Sequence, residues 1–436
     1  MIEDILNSKF KCSCGREHKI NIKNISVGKN VLNKIPEIIN SLTDKKDILL
    51  ISDQNTYAAA GKQAKSILEN NNFQVNELIL TGDKVHPNPT NLFKILKESR
   101  EKDYLIACGS GTINDLTGFA SYKMGKPYSV IATAPSMDGY ASSVSSITAE
   151  GIKQTYNTAP AEAIIADINV LKEAPFDLIQ AGYGDLLGKT TSLMDWRLAN
   201  ILFKEYYCTK AVRTIEIELI KIINLANQGS IRSPESIEAL IKGLIYSGIA
   251  MQMVGSSRPA SGSEHHVSHF LEMFGDNFNY KMPRHGIKVG MATLFTTYFY
   301  HKLYELDFAK IDLSLDKKKR EEDIKNIYKD RSAQILKNLN ERWEQENITK
   351  EELVAKEKEI KDFIEEHLEL IEKSREILSN QGYIFKEHIN NLPKDILRDA
   401  LRFGFEIRAR YTITTLLNQI DLLDSSINEA MAKIRD

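Results

Sequence analysis

The feature that most restricts the fold is a repeated pairing of a short, continuous apolar run with a turn rich in Gly, Asp or Asn. Asp47–Ser52 (DILLIS) is the first, and it ends in Asp53-Gln54-Asn55. An unbroken apolar run of this length suits a parallel strand buried on both faces. A helix is predicted through Ala58–Asn70, a strand over Val75–Leu80 and a helix over Asn91–Glu101. The third strand, Tyr104–Cys108, runs directly into Gly109-Ser110-Gly111-Thr112-Ile113-Asn114-Asp115, with helix continuing through Phe119–Met124. Strand, glycine-rich turn, helix is the arrangement in which backbone N–H groups approach a pyrophosphate at a helix N-terminus. The turn lacks the full G-x-G-x-x-G, because Asn114 stands at the third glycine.

A fourth strand, Tyr128–Ala132, ends in Thr133-Ala134-Pro135-Ser136-Met137-Asp138-Gly139-Tyr140-Ala141-Ser142-Ser143. Ligands of open α/β sheets bind at carboxyl ends of strands, and this polar segment occupies one. Ala163–Val170 reads as a last strand, and the domain boundary is expected near Pro175. The predicted division is therefore 1–175, an α/β dinucleotide-binding domain with a parallel sheet, and 176–436, an all-α domain. At 436 residues, two domains agree with the length.

Beyond Phe176 the pattern is helical: a helix beginning at Ala181–Lys189 with Asp185 in its first turn, then Leu193–Cys208, Val212–Gln228 and Ser233–Val254. Asp185 has two readings, a cap for free N–H groups or a carboxylate ligand. Four of the nine histidines fall between Ser261 and Gly290: His265, His266, His269 and His285. His265 and His269 are spaced to share one helix face. His285 lies in Arg-His-Gly, where the glycine is expected to allow a sharp turn. Two imidazoles from a helix and one from a turn, with a carboxylate from elsewhere, suit a divalent ion with an open position. Arg258, Lys281 and Arg284 are the nearby cations that a phosphorylated substrate would call for. From Asp312 to about residue 380 the chain is heavily charged and without Gly or Pro. It reads as an inserted, solvent-exposed helical hairpin, with Thr349 and Glu352 forming a capping box. Leu397–Leu423 returns to amphipathic helix.

A net charge of −2 argues against a nucleic-acid partner, and no run has the length of an apolar membrane span. The N-terminus has no basic region followed by an apolar run, so it is not read as a signal peptide. With four cysteines, a reducing cytoplasm is the expected location. Cys12, Cys14 and His18 form C-x-C-G-x-x-H, a spacing outside the usual zinc-finger patterns and without a fourth ligand nearby in the sequence. It is read as a turn at Gly15 in an N-terminal hairpin. Cys108 and Cys208 read as small buried hydrophobes.

Five segments together, GSGTINDLTG (109–118), TAPSMDGYASSVSS (133–146), AGYGDLLGK (181–189), RPASGSEHHVSH (258–269) and RHGIKVG (284–290), resemble the superfamily of iron-type alcohol dehydrogenases, glycerol dehydrogenase and 3-dehydroquinate synthase. Within it the chain is most similar to the bacterial sn-glycerol-1-phosphate dehydrogenases. The resemblance implies a dehydroquinate synthase-like fold: an NAD(H)- or NADP(H)-binding α/β domain and an all-α metal-binding domain. It implies one divalent metal, zinc or nickel, on Asp185, His265 and His285. His269 would touch substrate or pass protons, and Asp138 and Asp185 would also meet the substrate. Gly109, Ser110, Gly111, Thr112, Ile113, Asn114 and Asp115, with Thr133, Ala134, Pro135, Ser136 and Ser142, match dinucleotide-contacting turns. Asp53 matches the position that meets the adenosine ribose, where a carboxylate favours NAD over NADP.

The activity implied is reduction of dihydroxyacetone phosphate, a phosphorylated triose, to sn-glycerol 1-phosphate in phospholipid metabolism, by a homodimer. A glycerol dehydrogenase, a 3-dehydroquinate synthase-like enzyme and a non-catalytic nucleotide-binding protein are the alternatives. The serine-rich lead-in SGSE (261–264) would distinguish the phosphorylated substrate, and His266 would be structural. Two departures stand out. Gly118 replaces a lysine usual in glycerol dehydrogenases, and the charged insertion exceeds the compact members.

Overall fold

The structure, a computed structural model, describes residues 3–82, 84–149, 152–226, 230–275, 280–311, 313, 317–380 and 382–435. It divides into two compact units, Met1–Leu186 with Lys210–Ser256, and Leu187–Thr209 with Ser257–Asp436.

The first unit opens with the expected hairpin, β1 (Ser8–Lys11) antiparallel to β2 (Glu17–Ile20). Its centre is a six-stranded sheet of β3 (Asn24–Gly28), β4 (Asp47–Asp53), β5 (Gln74–Leu80), β6 (Tyr104–Gly109), β7 (Tyr128–Ala132) and β10 (Ala163–Asp167). The spatial order is β3-β10-β7-β6-β4-β5, and every pairing is parallel. Ile48, Leu50, Ile106, Cys108, Ile131 and Ile165 share one core cluster. These strands lack polar alternation because both faces are covered. The chain steps from β4 outward to β5 and then back to β6 on the other side of β4. That reversal opens a crevice at the carboxyl ends of β4 and β6, where Asp53 and Gly109 lie.

Three local readings need correction. The strand at Ala163 stops at Asp167, not Val170, and Ile168–Leu171 is helical. Asp167 is the reason: its buried carboxylate accepts N–H bonds from Asn169 (3.0 Å), Asn30 (3.2 Å) and Leu32 (3.1 Å). A second hairpin, β8 (Val144–Ala149) with β9 (Ile152–Asn157), follows the polar segment after β7. Helix α1 (Gly111–Met124) begins within the glycine-rich turn itself.

Helix α2 (Phe176–Phe203) starts directly after Pro175 and runs 28 residues. Asp185 therefore sits in about its third turn, too far from the end to cap it. Helix α3 (Pro234–Val254) is long and apolar enough to cross a membrane by composition, contrary to the sequence expectation, but most of that window is buried inside the protein.

In the second unit, α4 (Ser263–Phe274) packs against α5 (His285–Glu305). His285 is the first residue of α5 and Arg284 its N-cap, so Arg-His-Gly opens a helix and is not a turn. The charged segment is four helices, α6 (Lys317–Tyr328), α7 (Ser332–Gln345), α8 (Lys350–Glu365) and α9 (Leu368–Ser379), not an exposed hairpin. Ile324, Tyr328, Ile335, Leu339, Ile360, Ile364 and Ile371 bury an apolar stripe, and α8 and α9 pack on α5. Arg320 is buried against Glu406, and the Tyr328 hydroxyl donates to the Phe403 carbonyl (2.5 Å). The predicted Thr349–Glu352 capping box is present. The side chain of Trp343 and residues 227–228 and 312 lie outside the described set.

Candidate functional site

The crevice in the first unit is built from backbone. Gly109 ends β6, and a Cβ there would stand 2.5 Å from the Ile113 Cβ, so only glycine lets the chain turn so tightly into α1. Ser110 is the N-cap of α1 but makes no capping bond through its side chain. The first N–H groups of α1 are thus left for a ligand, and the helix dipole favours an anion there. Thr112 and Asp115 are partly exposed on this first turn, while Ile113 is buried. The buried amide of Asn114 donates to the Gly139 carbonyl (3.1 Å) and ties α1 to the segment after β7.

That segment, 133–142, is held from several sides. Thr133 N–H donates to the Gly109 carbonyl (3.2 Å), and the buried Tyr140 hydroxyl donates to the Ala134 carbonyl (2.7 Å). A Cβ on Gly182 of α2 would lie 1.8 Å from the Pro135 carbonyl oxygen, and one on Gly248 of α3 would lie 2.7 Å from the Ala141 Cβ. Both helices press their backbones on the loop. Ser136 and Ser142 are buried in it. Asp138 accepts the Ser247 hydroxyl (2.9 Å) and donates its N–H to the fully buried Asp185 carboxylate (3.1 Å). At the end of β4, Asp53 caps the next helix by accepting the Thr56 N–H (2.9 Å). This bond engages one of the two carboxylate oxygens.

In the second unit, α4 and α5 gather three imidazoles. Ring centroids lie 5.2 Å apart for His265–His285, 5.7 Å for His269–His285 and 6.2 Å for His265–His269. Glu264 fixes the first of these. It is fully buried, holds His265 Nδ1 at 2.7 Å, and accepts the Gly262 N–H (2.8 Å) and the Thr191 hydroxyl (2.9 Å). Burial works to raise the Glu264 carboxyl, but the His265 contact and the Gly262 N–H outweigh it and hold it low. With Nδ1 engaged, His265 offers Nε2, the arrangement of a ligating histidine backed by a carboxylate. Glu272 approaches His285 Nδ1 (2.8 Å) and His269 Nδ1 (3.4 Å), and Lys288, buried, pairs with it at 3.2 Å. Burial pushes His269 down to about 4, Glu272 pulls the other way, and the imidazoles of His285 and His265 add to the lowering. His269, Glu272 and His285 place ligand-type atoms within 4.8 Å of one another. Imidazoles with carboxylates fit a divalent transition ion.

Sequence reading missed Glu264, Glu272 and Lys288. The available signal was spacing: Glu272 stands three residues after His269, on the same face of a helix. Arg258 is not a phosphate candidate, because its guanidinium is buried on Glu205 (2.8 and 2.9 Å) and the Tyr411 carbonyl (2.8 Å). Lys281 and Arg284 are exposed. The SGSE lead-in is buried scaffold: Ser263 N–H donates to Asp195 (2.6 Å), and Glu264 orients His265. His266 is fully buried. Gly118 leaves no room for a lysine, since even a Cβ would meet the Tyr128 hydroxyl at 2.9 Å.

A parallel sheet with its crevice at a glycine-rich turn, and a second unit bearing clustered histidines, are what a metal-dependent oxidoreductase requires. The family model described as iron-containing alcohol dehydrogenase matches residues 26–175. The solved glycerol dehydrogenase of Schizosaccharomyces pombe shares the fold, with a TM-score of 0.62 over 98% of this chain and 94% of that one at 16% identity. Within the class the chain belongs to the glycerol-1-phosphate dehydrogenase [NAD(P)+] family. It is 36% identical to the Halalkalibacterium halodurans member over 66% of this chain and 74% of that protein. It is 31% identical to the Bacillus licheniformis member over 94% of this chain and 93% of that protein.

Proposed function

We propose that the chain reduces the carbonyl of dihydroxyacetone phosphate to sn-glycerol 1-phosphate, preferring NADH to NADPH and holding one zinc or nickel ion on Asp185, His265 and His285. Family membership supports the substrate. The observation that carries the chemistry is His265, whose Nδ1 is tied to a buried carboxylate so that Nε2 is presented beside two further imidazoles. Asp185 suits the third position because its fully buried carboxylate is an oxygen ligand of the type a divalent ion takes, and the Asp138 N–H orients it.

A bound divalent ion supplies Lewis-acid stabilisation of the negative charge that develops on the reacting oxygen. A bound reduced nicotinamide supplies the hydride. The N-terminus of α1 and the clamped 133–142 segment bind and orient the dinucleotide, with Ser110, Gly111 and Thr112 at its phosphates. Asp53 accepts hydrogen bonds from the ribose hydroxyls and repels a 2′-phosphate. Asp138, oriented by Ser247, takes a substrate hydroxyl. His269 is neutral at physiological pH and relays a proton, one ring nitrogen receiving as the other releases. The same reading includes a cytoplasmic homodimer.

The test is a spectrophotometric screen of NADH oxidation against dihydroxyacetone phosphate, dihydroxyacetone and small aldehydes, with added zinc or nickel. Turnover confined to the phosphorylated ketone is expected. Preferential turnover of dihydroxyacetone would make it a glycerol dehydrogenase, and no net oxidation with any of them would overturn the reading.

A further inference from the structure

We propose that the N-terminal hairpin holds a structural zinc ion on Cys12, Cys14 and His18, separate from the histidine cluster of α4 and α5. The three residues lie on and beside the five-residue connection between β1 and β2. Gly15, at φ +84°, turns the chain back there, and the Gly15 N–H donates to the Cys12 carbonyl (3.0 Å). The Cys12 N–H in turn donates to the Arg16 carbonyl (2.9 Å). The loop is therefore fixed at Cys12 through both its N–H and its carbonyl. The strand register then sets His18 opposite Phe10, with the rings edge to face at 5.4 Å between centroids.

The donor atoms converge. Sγ of Cys12, Sγ of Cys14 and a ring nitrogen of His18 all lie within 4.8 Å of one another, and Cys14 Sγ is 3.3 Å from His18 Nε2. In a tetrahedral zinc site with bonds of about 2.1–2.3 Å, neighbouring ligand atoms stand roughly 3.5–3.8 Å apart. The 3.3 Å pair and the 4.8 Å bound bracket that range, so small side-chain shifts reach the geometry.

The support behind His18 adds a second observation. Its side chain is almost wholly buried, and its Nδ1 lies 2.5 Å from the Met253 carbonyl at the end of α3. A carbonyl only accepts, so Nδ1 carries a proton, and Nε2 is the ring nitrogen that faces the Cys14 sulfur and would ligate. A backbone carbonyl behind the distal ring nitrogen is the usual support of a zinc-bound histidine. Two cysteine sulfurs, which bind as thiolates once zinc displaces their protons, and one imidazole nitrogen make a soft, borderline donor set that selects zinc over the hard cations. Water or a further sulfur completes the coordination.

The ion would lock the hairpin to the end of α3. The neighbouring Gln252 already accepts the Asn21 N–H (3.2 Å) and donates to the Ala141 carbonyl in the clamped loop. The role is structural and predicts no redox step.

The test uses the full-length protein incubated with zinc and then desalted. An organomercurial that attacks thiolates releases zinc from sulfur-ligated sites and leaves the Asp185, His265 and His285 set untouched. Release of one zinc per chain from the unsubstituted protein is expected, with at least a tenfold smaller release from Cys12→Ser/Cys14→Ser, whose fold is checked by circular dichroism. A His265→Ala/His285→Ala variant loaded with cobalt should still show a sulfur-to-cobalt charge-transfer band. No mercurial-released zinc from the unsubstituted protein, or no charge-transfer band in the loaded variant, overturns the site.

Discussion

Gly182 and Pro135 meet backbone to backbone: a Cβ at position 182 would stand 1.8 Å from the Pro135 carbonyl oxygen. No side-chain adjustment relieves that contact, because both partners are main chain. Helix α2 thus sets the height of the 133–142 segment above the sheet. Gly182→Ala must lift one from the other, at a cost of about 1–3 kcal/mol typical of overpacking. The expected outcome is a lower unfolding midpoint in denaturant and NADH binding weakened about tenfold by calorimetry. Unchanged stability and affinity would remove the clamp from the account.

Asp53 combines two roles that one substitution separates. Its carboxylate caps the helix through Thr56, and its charge faces the proposed ribose position. Serine keeps an N-cap acceptor and loses the charge. Asp53→Ser should therefore leave stability nearly intact while the preference for NADH over NADPH falls by about tenfold, since repulsion against the wrong partner is what is removed. A kcat/KM ratio for the two cofactors that stays put would show that discrimination lies elsewhere.

Most of the sheet was legible in the sequence because its strands are short, apolar and punctuated by Asp, Asn and Gly. The misreadings share a cause. Asp167 looks like the interior of AIIADINV, yet two N–H groups distant in sequence, of Asn30 and Leu32, and the nearby Asn169 N–H converge on it and end the strand. Asp185 looks like a cap because glycines surround it. Those glycines serve close approach instead, at Gly182 to Pro135 and at Gly188 to Val289 (2.6 Å to a built Cβ). In the charged insertion, Lys and Glu outnumber a narrow apolar stripe, and composition hid the face that α6 to α9 bury. Of the candidate metal site, the histidines were visible, whereas Glu264 and Glu272 act through geometry that spacing only hints at.

Asp195 makes the metal-free protein sensitive to pH. Burial, with the charge of Glu264, pushes its carboxyl up to about 6 from 3.8, against three donors: the Tyr300 hydroxyl and the N–H groups of Ser263 and Ile413. Between those two values the folded protein keeps a proton that the unfolded chain has released. This contribution to stability is full below about pH 3.8 and is lost as pH rises through about 6, about 3 kcal/mol in all. Asp195→Asn should abolish that slope, seen by urea unfolding across the window. It should also be less stable at low pH by about 1–3 kcal/mol, because the Ser263 N–H loses its acceptor. An identical slope in the variant would assign the titration to another group.

Glu264 offers the sharpest test of how the histidine cluster is prepared for a metal. Its carboxylate holds His265 Nδ1 and is itself held by Gly262 and Thr191, and Thr191 in turn accepts the Thr296 hydroxyl (3.1 Å). Glutamine preserves the size and an acceptor oxygen, and its amide can face the Thr191 oxygen, so the ring stays oriented. What disappears is the negative charge that makes Nε2 a better donor. Loss of such support typically costs 10- to 100-fold in metal affinity. Glu264→Gln should therefore bind zinc about 10- to 100-fold more weakly in a chelator competition while remaining folded. Glu264→Ala should bind more weakly still, because the ring is also freed to turn, and His265→Ala should retain no metal on this cluster. Equal affinity in Glu264→Gln and the unsubstituted protein would mean that orientation alone, and not charge, is what Glu264 contributes.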